Sequence, residues 1–171
     1  MPVRISFTPD PAYVRTIRTV AVAVARRAGV ADDLLDEVRQ AIGEACTRAV
    51  GVHRREGRTD PIEVAMTVGA VGRGQRFTID VTDRGSAEAA RKEHAGGTGE
   101  IVARATVAPS GEDTGRNLLD EELLAIGVGL ALLDGLVADL AVDDAPGGAG
   151  TLVRMSWSLD RRRNRARRAK S

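Results

Sequence analysis

Ile62-Glu63-Val64-Ala65-Met66-Thr67-Val68, the glycine turn Gly72-Arg73-Gly74, and Phe77-Thr78-Ile79-Asp80-Val81-Thr82-Asp83-Arg84-Gly85 form the stretch whose reading decides the fold. In the first run Ile62, Val64, Met66 and Val68 alternate with other residues, and in the last Phe77, Ile79 and Val81 do the same. A period of two means that one face of each run is buried and the other is not. Two such runs joined by a short glycine turn read as an antiparallel hairpin. The second strand leads directly into Asp83-Arg84-Gly85, so whatever that loop does, it does at a strand end.

Upstream the period changes from two to that of a helix. Val3, Ile5 and Phe7 alternate as a first strand, closed by Pro9 and Pro11. A helix is expected from about Asp10, with Pro11 in its first turn and Tyr13, Val14, Ile17, Val20, Ala21, Val24 and Ala25 on its core face up to Gly29. A second helix is expected after Val30, favoured by Asp32 and Asp33 in its first turn. It buries Leu34, Leu35, Val38, Ile42, Ala45, Cys46 and Ala49 and carries Glu37, Gln40, Glu44 and Arg48 on the other face.

Downstream of Gly85 periodicity is lost from Ser86 to about Leu118, a stretch rich in glycine and acids. So long an aperiodic segment inside a compact domain reads as a lid or binding loop, here taken as 86–126. Apolar residues return from Leu118, Gly127-Val128-Gly129 interrupts them, and Leu130, Leu132, Leu133 and Leu136 then follow at helical spacing. A strand with Leu140 and Val142, the turn Asp143 to Gly148, and a final strand complete the chain. In that last strand Thr151, Val153, Met155, Trp157 and Leu159 share one face. The fold class expected is α+β: a two-layer sandwich with helices on one face of a mixed, mainly antiparallel sheet.

The chain has 171 residues, enough for one domain, expected over 1–160. Its formal net charge of +1 conceals an uneven distribution, because residues 161–171 carry seven positive charges and no acid, leaving −6 for residues 1–160. The basic tail is expected to be disordered, since like charges repel one another. It contains no aromatic residue to stack on a base, so nucleic acid ranks lowest among its expected partners, and a nucleic-acid-associated regulator is the third reading. A single cysteine, Cys46, excludes an intramolecular disulfide, and no leader pattern is seen, so a cytoplasmic location is expected. The longest apolar run, 126–142, is broken by Asp134 and Asp139, and no membrane span is expected.

The segment Glu44-Ala45-Cys46-Thr47-Arg48-Ala49-Val50 with His53 resembles the N-box helix of the GHKL (Bergerat-fold) ATPases, in particular the small anti-sigma factor serine kinases of bacterial stress and sporulation control. Their helix reads Glu-Ala-x-x-Asn-Ala-x-x-x-His or close to it. Asp83-Arg84-Gly85 resembles the second box of that family, Gly127-Val128-Gly129-Leu130 the third, and Gly150-Thr151 the fourth. The resemblance implies that Glu44 is a general base and that Asp83 accepts a hydrogen bond from the adenine amino group. Gly85 would shape that loop, Gly127 and Gly129 would let the backbone approach the phosphates beside Leu130, and Thr151 would line the pocket. It further implies ATP as cofactor, a sigma factor and a STAS-domain antagonist as partners, a homodimer, and serine/threonine-protein kinase activity.

Arg48 departs from that pattern, because the family has there the Asn that holds magnesium. An arginine side chain has five donors and no acceptor, so it ligates no cation. Held ~4 Å from a divalent ion at an effective dielectric of ~20, its charge costs about 8 kcal/mol before phosphate offsets it. Magnesium at its usual place is therefore disfavoured, and no residue is assigned as a metal ligand. Three dispositions of Arg48 are open: on the ATP phosphates, paired with Glu44, or filling the pocket. The last two give a pseudokinase, and the alternative reading is a catalytically dead partner-binding module that does not use ATP. Ala87, where the family often has a further glycine, is a second departure.

Overall fold

The computed structural model describes residues 2–71, 74–88, 90, 91, 133 and 136–160. Strand β1 (Val3–Phe7) is followed by helix α1 (Pro11–Ala28), a 3-10 turn (Asp32–Leu34), helix α2 (Leu35–Arg55), strands β2 (Ile62–Val71) and β3 (Gly74–Asp83), and strands β4 (Asp139–Asp144) and β5 (Thr151–Ser158). The five strands form one sheet in the order β1-β2-β3-β5-β4, and all four pairings are antiparallel. This is the expected α+β arrangement of two helices with an antiparallel sheet.

The helix ends follow local chemistry. Asp10 caps α1, its carboxylate accepting from the Ala12 N–H at 2.8 Å, and Pro11 needs no partner in the first turn. Gly29 ends the helix at φ 91°, a left-handed conformation that costs a glycine little. Helix α2 carries Asp36 and Glu37 in its first turn and His53, Arg54 and Arg55 in its last, which matches the sign of its dipole at both ends.

α1 lies on α2 and β2, and α2 lies on β2 and β3. Val38, Ala41, Ile42, Ala45 and Ala49 of α2 are buried with Ile62, Val64, Met66, Phe77, Ile79, Val81, Val153, Met155 and Trp157 of the sheet. Each large apolar side chain taken fully from water contributes roughly 1.5–3 kcal/mol before entropy is counted. The Arg18 guanidinium of α1 lies over Gly43 of α2, where an added Cβ would meet it at 2.1 Å. The opposite face of the sheet is polar, and Arg154 makes a two-pronged contact there with Asp80, both distances 2.8 Å.

Four expectations need correction. Tyr13 does not face the core: it is 47% exposed, with its ring in an edge-to-face arrangement with Phe7 at a centroid distance of 6.5 Å. Val68 is also exposed, toward the hairpin end of β2. Arg48, assigned to the open face of α2, is buried. The aperiodic stretch opens with helix at 87, 88, 90 and 91, where Ala87 and Ala90 are buried and Ala90 joins the core. The remainder of the 86–126 segment, the box Gly127-Val128-Gly129-Leu130 and the tail 161–171 lie outside the described residues. No helix among the described residues is long and apolar enough to cross a membrane.

Candidate functional site

Asp83 is the last residue of β3, and alternation decides where its side chain goes. Phe77, Ile79 and Val81 point into the core, so Asp83, two residues on, points inward as well. It is the one buried carboxylate among the described residues. A buried carboxylate without partners is costly, and here both oxygens have them. The Arg48 guanidinium donates from Nη1 to Oδ2 at 2.7 Å, and the Gly85 N–H donates to Oδ1 at 2.6 Å. The Arg48 and Asp83 side chains are each 1% exposed, so this is a dry ion pair.

The helix supplies the other half of the site. Glu44, Arg48 and Val52 recur every four residues and therefore share one side of α2. Val52 bears on the loop: a Cβ on Gly85 would lie 2.4 Å from Val52 Cγ1 and 2.9 Å from Asp83 Oδ1. His53 is fully buried, and its Nε2 accepts the Arg84 N–H at 2.9 Å. That places the imidazole proton on Nδ1, which has no hydrogen-bond partner among the described residues.

β5 closes the site from the other side. Thr151 sits opposite Asp83 in the sheet, is buried, and donates its hydroxyl to the Gly85 carbonyl at 3.0 Å. The preceding Gly150 has φ 127°, and a Cβ there would stand 2.1 Å from the Asp83 carbonyl oxygen. Only glycine allows the β4–β5 turn to pass that close. Arg84 clasps the same turn, donating to the Ala149 carbonyl at 3.0 Å.

Of the residues singled out in the sequence, the structure brings Arg48, Asp83, Gly85 and Thr151 into one connected cluster. Glu44 is near in the helix but not part of it. It is half-buried, and among the described residues its carboxylate forms neither a hydrogen bond nor an ion pair. The expected alternative of a Glu44–Arg48 pair is thereby corrected: Arg48 reaches across to Asp83, where a buried carboxylate offers stronger compensation than a partly solvated one. Gly127, Gly129 and Leu130 lie outside the described residues, so their part in the site has no structural account. His53, named in the sequence only as part of the N-box resemblance, anchors the Arg84 backbone. Its place nine residues after Glu44, as in the N-box pattern, was the signal. Cys46 is a core thiol, pushed up to about 12 by burial, with Arg18 opposing the shift.

The cluster does not suit a nucleotide held through magnesium. Arg48 offers no acceptor to a cation, and both oxygens of Asp83 are already engaged from within the chain. Among the described residues no group of three or more His, Cys, Asp or Glu side chains is placed to hold a metal ion.

A family model for the histidine kinase-like ATPase domain matches residues 7–157. Among solved structures, the chain is similar to the crystal structure of the SiaB-SiaC complex from Pseudomonas aeruginosa, with a TM-score of 0.55 and 10% sequence identity over 91% of this chain and 88% of that one. At that identity the likeness concerns the fold alone. No curated protein matches. With the order of strands, the buried Asp83 loop and a family match that spans nearly all of the described residues, the chain belongs to the histidine kinase-like ATPase domain family.

Proposed function

We propose that this protein is a partner-switching regulator of the anti-sigma type, which uses its ATPase scaffold to bind a protein and has lost metal-dependent phosphoryl transfer. The observation that carries this reading is the burial of Arg48 on Asp83. Phosphoryl transfer depends on charge neutralisation around the phosphates, normally by a divalent ion. A guanidinium where the family has its metal-binding Asn takes that function away, and Glu44 alone, as a residual base, has no positioned phosphoryl group to act with. The similar structure from Pseudomonas aeruginosa is a complex of SiaB with SiaC, which supports a partner-binding reading.

The partners that fit are a sigma factor and a STAS-domain antagonist, met in the cytoplasm by a homodimer. The test is direct binding of purified sigma factors and STAS-domain proteins from the same organism, with and without millimolar magnesium and ATP, alongside a radiolabelled phosphorylation assay. The reading expects saturable binding that nucleotide leaves unchanged and no phosphate transfer. Magnesium-dependent transfer of the γ-phosphate to a serine of the antagonist would restore the kinase assignment.

A further inference from the structure

We propose that Arg48 is an internal ligand of the ancestral base pocket, with its guanidinium filling the place on Asp83 that an amine of a bound heterocycle would take. The inference rests on the reading of this cluster as a former nucleotide site, and it goes further by saying what now occupies it. Three observations converge. Asp83 is the one buried carboxylate among the described residues, and a carboxylate is kept in such a place only with donors on it. One oxygen is taken by the backbone of its own loop, at Gly85, which leaves the other to face the helix. That second oxygen receives an N–H of a planar, delocalised cation at 2.7 Å, with the same donor chemistry as the amino group of a purine but covalently tethered and charged.

A tethered donor outcompetes a free one because its effective concentration is high and its ordering cost was met on folding. The loop around it is satisfied in the same manner. The Arg84 N–H rests on His53 and the Gly85 carbonyl takes the Thr151 hydroxyl, so these groups of the Asp83-Arg84-Gly85 loop already have partners inside the chain. A small neutral residue at 48 would therefore reopen a cavity whose one strong feature is an acceptor carboxylate. Such a cavity suits a planar cation or an aminopurine of matching size.

The experiment compares the unaltered full chain with Arg48→Ala in thermal melts, adding methylguanidinium or adenine at low millimolar concentration, and in titrations with a fluorescent ATP analogue. Arg48→Ala is expected to melt lower than the parent and to recover part of the loss with methylguanidinium. It should also bind adenine saturably at low millimolar concentration, while the parent responds to neither compound. An Arg48→Asn variant is measured in parallel, because it keeps a polar side chain over Asp83 if the alanine variant does not fold. It should gain binding of the analogue. Saturable sub-millimolar binding of the analogue to the parent overturns the inference, as does a folded variant that responds to none of the three compounds. Either result leaves the partner-binding measurement above to stand or fall by itself.

Discussion

Replacing Arg48 by Met keeps most of the side-chain volume but strips the cation from a carboxylate that is 1% exposed. At the observed 2.7 Å and an effective dielectric of ~20, the gross attraction removed is about 6 kcal/mol. Part of that gross figure offsets the desolvation of two charges, so the net worth of the pair is much smaller. The cost of removing one member is different, because Asp83 would be left buried and uncompensated. Such single removals cost roughly 3–5 kcal/mol. For a domain of this size each kcal/mol lowers Tm by roughly 2–4 °C, so a fall on the order of 6–20 °C is expected. Asp83→Asn keeps an acceptor for the Gly85 N–H and removes the charge, and the double variant Arg48→Met/Asp83→Asn should recover much of the loss. Urea titrations of the four proteins give the coupling energy, expected above about 2 kcal/mol. Coupling below about 0.5 kcal/mol, with Arg48→Met as stable as the parent, would refute the idea that this pair organises the site.

Gly150→Ala should destabilise by at least about 2 kcal/mol, since its Cβ would stand 2.1 Å from the Asp83 carbonyl oxygen at a φ of 127°, and a chemical denaturation curve would show it. Thr151→Val removes the bond to the Gly85 carbonyl and leaves a buried acceptor unpaired, for an expected loss of roughly 1–3 kcal/mol by the same measurement. Asp10→Ala removes the cap of α1 and should cost about 1 kcal/mol, with no change in partner binding. Burial raises the Cys46 pKa from 9.0 to about 12, so the unfolded chain releases this proton first. The stability associated with the protonated thiol is intact below pH 9 and declines as pH rises from 9 towards 12. A Cys46→Ala variant should lose that part of the alkaline slope, and the parent thiol should resist modification until the chain unfolds.

Much of the fold could be read from periodicity because periodicity is a local record of burial. The alternation in Ile62–Val68 and Phe77–Val81, the Asp10-Pro11 start and the Gly29 stop each correspond to an observed element. Tyr13 failed for a reason the pattern cannot contain: it lies in the first turn of α1, where the helix spacing continues but the residue stays 47% exposed beside Phe7 of β1. Of the site, the sequence exposed the membership of Arg48, Asp83, Gly85 and Thr151 through their order along the chain, with no indication of which touched which.

By itself the sequence determined the α+β class, the family of the domain and the presence of Arg48 where the family pattern has Asn, because each follows from residue type and spacing. It could not determine the partner of Arg48. On helical spacing alone Glu44 was the nearest acid, one turn away, and a pair with it was one of three dispositions left open. Only the tertiary structure decided for Asp83, thirty-five residues on, because the packing of α2 on β3 buries both groups together. Burial withdraws the water that would otherwise solvate each charge separately, and so leaves each as the compensation for the other.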